Sequence, residues 1–194
     1  DAGFRDRVGY LPEERGLYPK MSIGDALAFF AKIKLAEPRS ATRRIETLLE
    51  RFALSGRQTE RIDTLSKGNQ QKVQFIAAVA HDPDLVILDE PFSGLDPVNT
   101  ALMTRMIEEL RDEGKAILFS THIMEFAERL CDHITLIDQG RVLLDGPPGQ
   151  IRHDHANNEV AIVTPDDASF ISELAGVVSS AVSYTHLTLP TIRE

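Results

Sequence analysis

Leu85-Val86-Ile87-Leu88-Asp89-Glu90-Pro91 is the stretch on which the fold reading turns. Four aliphatic residues follow one another without alternation. Such a run marks a strand buried on both faces, as in a parallel sheet covered by helices. Two carboxylates sit at its end, and Pro91 stops it. In open α/β sheets, ligands bind just beyond the carboxyl ends of the strands. A carboxylate in that place can hold Mg²⁺, directly or through water, and its neighbour can orient and polarise an attacking water. A charged pair that merely ends a strand is the plainer alternative. The preceding aliphatics and the proline stop favour the functional one.

The pattern continues on either side. Pro97–Glu113 reads as a helix with Leu102, Met106, Ile107 and Leu110 on one side and Gly114 as its stop. Ala116-Ile117-Leu118-Phe119 reads as a second buried strand, and Ile123–Leu130 as a short helix. Ile134–Ile137 and Arg141–Leu144 flank Asp138-Gln139-Gly140, a hairpin signal. Upstream, Asn69–Ala80 reads as a helix. Ser22 caps a helix with Ile23, Ala26, Leu27, Phe30 and Ile33 in an i, i+3, i+4 stripe. Pro38 breaks it, and a second amphipathic helix carries Ile45, Leu48, Leu49, Phe52 and Leu54. Residues 18–64 thus form a helical insert, entered from a short strand at Val8–Leu11. Alternating strands and helices imply a parallel sheet, with the hairpin adding antiparallel strands at one end. After Gly146-Pro147-Pro148-Gly149 a strand at Glu159–Val163 and a helix at Pro165–Ala175 suggest a small α+β C-terminal domain, residues 150–181, cut short. Residues 182–194 read as a translated sequencing-library adapter rather than as fold; a natural strand-and-turn segment is the alternative.

Three further sites accompany the acidic pair. Leu65-Ser66-Lys67-Gly68-Asn69-Gln70-Gln71 opens the Asn69–Ala80 helix. Ser66 offers a hydroxyl, Gly68 lets a backbone approach a ligand closely, and the free N–H groups of a helix start favour an anion. A plain helix cap explains the same residues. In Ser93-Gly94-Leu95-Asp96-Pro97, Asp96 caps the next helix and Pro97 takes its first position. Ser120-Thr121-His122 ends the second buried strand, so His122 shares the crevice of Asp89 and Glu90 and can bond a γ-phosphate. A histidine packed for structure is the alternative.

Composition excludes some classes. The 194 residues suit one α/β domain with a small appendage. A net charge of −9 offers no basic face for nucleic acid. It does not exclude nucleotides, which are held by local backbone groups, lysine and Mg²⁺. Cys131 is the one cysteine, so no internal disulfide forms. No apolar stretch is long enough to span a bilayer.

In this order and spacing, the sites resemble the ATPase subunits of ATP-binding-cassette (ABC) transporters, from about Phe4 to Gly146. Leu65–Gln71 is similar to the family's signature motif and Leu85–Glu90 to its Walker B strand. Ser93–Asp96 resembles its D-loop, His122 its switch histidine, and Gly9-Tyr10-Leu11-Pro12-Glu13 the segment entering its Q-loop. The resemblance implies a P-loop NTPase-like parallel sheet that binds ATP and Mg²⁺. Asp89 and Glu13 would serve Mg²⁺, Glu90 would be the general base, and His122 would contact the γ-phosphate. Ser66, Gly68 and Asn69 would bind ATP held by a second ATPase subunit in a head-to-tail dimer, and Asp96 would couple the two sites. A membrane permease would be the other partner, placing the protein at the cytoplasmic face of the membrane.

The sequence departs from the family pattern in three ways. No G-x-x-x-x-G-K-[ST] loop is present, which implies that it lies upstream of Asp1 and that these residues alone are inactive. Glu13 stands where glutamine is usual. Lys67 and Asn69 replace a glycine and a glutamine of the signature. Leu11–Tyr18 together with Leu65–Lys72 resembles bacterial ABC-2-type exporters, including the sodium-efflux type. A soluble ABC ATPase acting on ribosomes or DNA is the competing reading. Ribosome-acting relatives usually carry a Thr-Asn-His type sequence where Ser93-Gly94 stands, and DNA-repair relatives carry long coiled coils that are absent from this sequence.

Overall fold

The computed structural model describes residues 4, 6–14, 16–34 and 37–155. Three strands, β1 (Val8–Leu11), β2 (Leu85–Asp89) and β3 (Ala116–Ser120), lie parallel in that spatial order. Leu11 stands opposite Leu88, Leu88 opposite Phe119, and Asp89 opposite Ser120. All three carboxyl ends therefore meet at one rim.

The connections decide which face is covered. Helices α1 (Ile23–Ile33), α2 (Pro38–Arg51) and α3 (Lys67–Val79) link β1 to β2, and α4 (Pro97–Asp112) links β2 to β3. Both crossovers step the same way along the sheet. Right-handed crossovers then put α3 and α4 on the same face. Gly9, Leu11, Val86 and Leu88 on that face are fully covered, with Val73, Ile76 and Val79 of α3 and Met103, Met106 and Ile107 of α4 in the same core. Phe52, just after α2, meets Phe75 of α3 edge to face at 5.6 Å. Gly9 shows how close the layers lie: a Cβ there would come within 2.2 Å of the Ala78 carbonyl oxygen.

The other face is less covered by the described residues. Leu85 and Ile87 are only half-buried, and Tyr10 and Leu118 are 53% and 60% exposed. The aliphatic runs were read correctly as strands. Both crossover helices lie on the first face.

Each long helix begins with a side-chain cap. The Ser22 hydroxyl accepts from the Asp25 N–H at 3.1 Å, and Glu37 from that of Ser40 at 2.7 Å. Ser66 accepts from Asn69 at 3.3 Å and Asp96 from Asn99 at 2.9 Å. Pro38, expected as a breaker, also opens α2 at a position where its missing N–H costs nothing.

After α5 (Met124–Leu130) come β4 (Ile134–Asp138) and β5 (Arg141–Gly146). Gln139 and Gly140 both have positive φ, 47° and 74°, as a tight two-residue hairpin turn demands. The expected antiparallel hairpin is present; among the described residues β4 and β5 pair with each other in a sheet of their own. A last helix, α6, spans Pro148–His155. The strand and helix expected at Glu159–Val163 and Pro165–Ala175, and the tail at 182–194, lie outside the described residues. Among the described residues, no helix is long and apolar enough to cross a membrane.

Candidate active site

The parallel register brings the acidic pair and the histidine together. Asp89 ends β2 beside Ser120, the end of β3, whose hydroxyl donates to Asp89 Oδ1. The Glu90 N–H continues the ladder to the Ser120 carbonyl at 3.2 Å. Glu90 itself has φ of +45°, a left-handed conformation that costs a non-glycine residue about 1–2 kcal/mol. The ladder bond and its own side chain hold it there. Glu90 Oε1 accepts the His122 backbone N–H at 2.9 Å and lies 2.9 Å from His122 Nδ1. An acceptor facing Nδ1 keeps the proton on that nitrogen.

Exposure divides the pair. The Glu90 side chain is 15% exposed, the His122 side chain 78%. Among the described residues Oε2 of Glu90 takes no hydrogen bond, so one oxygen is anchored and the other can accept a water proton. A largely covered carboxylate with one committed oxygen is an oriented base.

The start of α3 lies beside the start of α4. A Cβ on Gly68 would meet Asn99 Nδ2 at 3.5 Å and Leu95 Cδ2 at 3.6 Å. Asp96 binds Asn99 twice, through its backbone N–H at 2.9 Å and its side-chain amide at 2.6 Å. The backbone N–H of Asn99 is the main reason that the Asp96 carboxyl lies below its ordinary range. Glu13 is exposed in the loop that follows β1, at the same rim, since Leu11 pairs with Leu88.

The family model for ABC transporters matches residues 2–93. An uncharacterized ABC transporter ATP-binding protein of Bacillus subtilis, YhaQ, is 44% identical over 173 residues, 89% of this chain and 58% of that protein. The chain belongs to the ABC transporter ATP-binding proteins. It is also 34% identical over 172 residues to the Nod factor export ATP-binding protein I of Burkholderia orbicola, covering 88% of this chain and 57% of that one. A solved ATP-binding subunit of an ABC transporter superposes with a TM-score of 0.73 at 34% identity, over 79% of this chain and 64% of that chain. The chain thus spans under two thirds of the length of each of these relatives.

Within this ABC domain, the donor set at the rim suits Mg²⁺. That ion takes hard oxygen ligands, usually one or two carboxylates, with phosphate and water completing an octahedron. Asp89 would supply one such oxygen and Glu13 a second. No cage of three or more His, Cys, Asp or Glu side chains forms among the described residues.

Four residues given no role from sequence are polar anchors, and three of them, Ser120, Gln71 and Gln74, bear on this site. Ser120 binds Asp89 and the Glu90 N–H. The other three, Gln71, Lys72 and Gln74, are buried on α3. Gln71 Nε2 donates to the Pro91 carbonyl at 3.3 Å, bracing the turn after Glu90. Lys72 Nζ donates to the Phe52 carbonyl at 3.3 Å; burial lowers its pKa, and Asp96 opposes the shift. Gln74 reaches the loop carrying Glu13. Their signal in the sequence is that they interleave with Val73, Phe75 and Ile76, which leaves the helix no wholly polar side.

Proposed function

We propose that this chain is the greater part of the nucleotide-hydrolysing domain of an ABC exporter, converting ATP to ADP and phosphate to drive transport. The observation that carries the reading is the anchored Glu90 carboxylate, bonded to His122 and next to Asp89 on one rim. Glu90 takes the proton of the attacking water through its uncommitted oxygen. His122, held by Glu90 at Nδ1, presents its other ring nitrogen to the γ-phosphate. Asp89 and Glu13 would hold Mg²⁺, which would supply charge neutralisation at the phosphates. Ser66, Gly68 and Asn69 contact the ATP of a second subunit, and Asp96 links the two sites.

A membrane permease is the proposed partner, which places the subunit at the cytoplasmic face of the membrane. The helical insert presents Tyr18, Phe29 and Ile33 to solvent, an apolar surface suited to a protein contact.

The test is Glu90→Gln in the complete polypeptide, with the 194-residue chain, expected to be inactive, alongside. Removing a general base typically costs about 10²–10⁴-fold in rate. The variant should bind ATP, hydrolyse it slowly and accumulate as a closed dimer. Normal hydrolysis by Glu90→Gln refutes the assignment of the base.

A further inference from the structure

Gln74 sits on α3, two turns from its start, and is 4% exposed. Its amide nitrogen donates to two backbone carbonyls, Pro12 at 2.9 Å and Glu14 at 3.1 Å. These carbonyls bracket Glu13. Both partners are acceptors, so the amide must face them through nitrogen. Its own oxygen, Oε1, is buried without a partner among the described residues. An apolar side chain would fill this place without stranding an acceptor. The residue is therefore explained by its donors, and the donors grip one loop residue on each side.

We propose that Gln74 is a positioning residue for Glu13: one side-chain amide pins the backbone before and after it, so that the Glu13 carboxylate is held at the rim next to Asp89. This rests on the reading of Glu13 as a Mg²⁺ ligand. It also joins two parts of the site by a short path. The helix that opens at Ser66 and Gly68 holds, through Gln74, the loop of Glu13 and, one turn earlier through Gln71, the turn after Glu90. A shift of α3 when its N-terminus meets nucleotide reaches both carboxylates through two glutamine side chains.

The test uses Gln74→Met, which keeps side-chain length and volume and removes both donors, and Gln74→Asn, which keeps the amide but falls one methylene short. The first readout is amide hydrogen exchange of the 194-residue chain, where both variants should speed exchange in residues 10–17 and leave β2 unchanged. The second is the Mg²⁺ dependence of ATP hydrolysis by the complete polypeptide. Loss of a residue that orients a metal ligand typically costs about 10–100-fold in metal affinity or activity. Gln74→Met should raise the half-saturating Mg²⁺ concentration by that factor and change saturated turnover much less. In a Glu13→Gln background the same change should add little, because the two residues act as one unit. Unaltered exchange in residues 10–17 overturns the clamp. Faster exchange with unchanged Mg²⁺ dependence, or an equal effect in both backgrounds, overturns its action through Glu13. If the unsubstituted polypeptide hydrolyses no ATP, the ATPase reading fails, while exchange still decides the clamp.

Discussion

Gly68→Ala separates a glycine needed by the fold from one needed by a ligand. Gly68 is the second residue of α3, after the Ser66 cap. It has no positive φ, and an added Cβ would find its nearest neighbours at 3.5 and 3.6 Å, ordinary contact distances. Nothing in this chain therefore demands glycine. Alanine within a helix is favoured over glycine by about 0.5–1 kcal/mol. For a chain of this size that corresponds to a rise of about 1–4 °C in Tm. The same methyl group would intrude on a phosphate that approaches the bare Cα from a second subunit. Overpacking of a close contact costs about 1–3 kcal/mol, a loss of about 5–150-fold in hydrolysis or nucleotide-driven dimerisation. Opposite signs are expected: a more stable protein and a poorer enzyme. Thermal unfolding and steady-state ATP hydrolysis on the same preparation test both. A lowered Tm shows that the fold needs this glycine. A raised Tm with normal hydrolysis refutes the phosphate contact.

Two further outcomes follow from the packing. Gly9→Ala places a methyl group 2.2 Å from the Ala78 carbonyl oxygen and 3.0 Å from Pro83; with backbone on one side and a proline ring on the other, it should destabilise by about 3 kcal/mol, the upper part of the overpacking range, read as a lowered urea midpoint. His81 is half-buried, its Nε2–H donates to the Val8 carbonyl at 3.2 Å, and its Nδ1 is buried without a partner among the described residues; burial is the main cause that depresses its pKa. A depressed histidine binds its proton more weakly folded than unfolded, so its contribution is complete above the unfolded value of about 6.5 and is lost as pH falls below it. The urea midpoint should drop between pH 7.5 and 5.5, and His81→Gln, which still donates to Val8 but does not titrate, should reduce that drop.

The parts of this domain that were legible in the sequence are those in which one residue type answers one physical demand. Ser22, Ser66 and Asp96 cap helices because their side-chain oxygens meet orphan N–H groups. Gln139-Gly140 closes the hairpin because both positions need positive φ. Asp89, Glu90 and His122 were placed at one rim because parallel strands end together. What stayed illegible depended on partners distant in the chain. Consecutive aliphatics in Ala116–Phe119 announce a strand but not on which face its helices pack, which is set by the direction of the crossovers.

The buried polar residues of α3 show the same limit in sharper form. Periodicity treats a polar side chain as a solvent-facing one, yet Gln71, Lys72 and Gln74 interleave with Val73, Phe75 and Ile76 and are buried. In the fold they lie under three segments whose carbonyls point inward: the end of α2, the loop after β1 and the turn after β2. Buried carbonyls need donors, and a helix whose own N–H groups are spent on itself can supply them only from side chains. Amides and an ammonium group are therefore the residues this helix places there, and each meets a backbone oxygen of a different segment. The inference can be run in reverse on a sequence. Where polar residues interrupt a helix on the side its apolar neighbours claim, the reading to test is a donor for backbone that crosses over it; in this domain two of the three crossing segments carry or adjoin the carboxylates of the site.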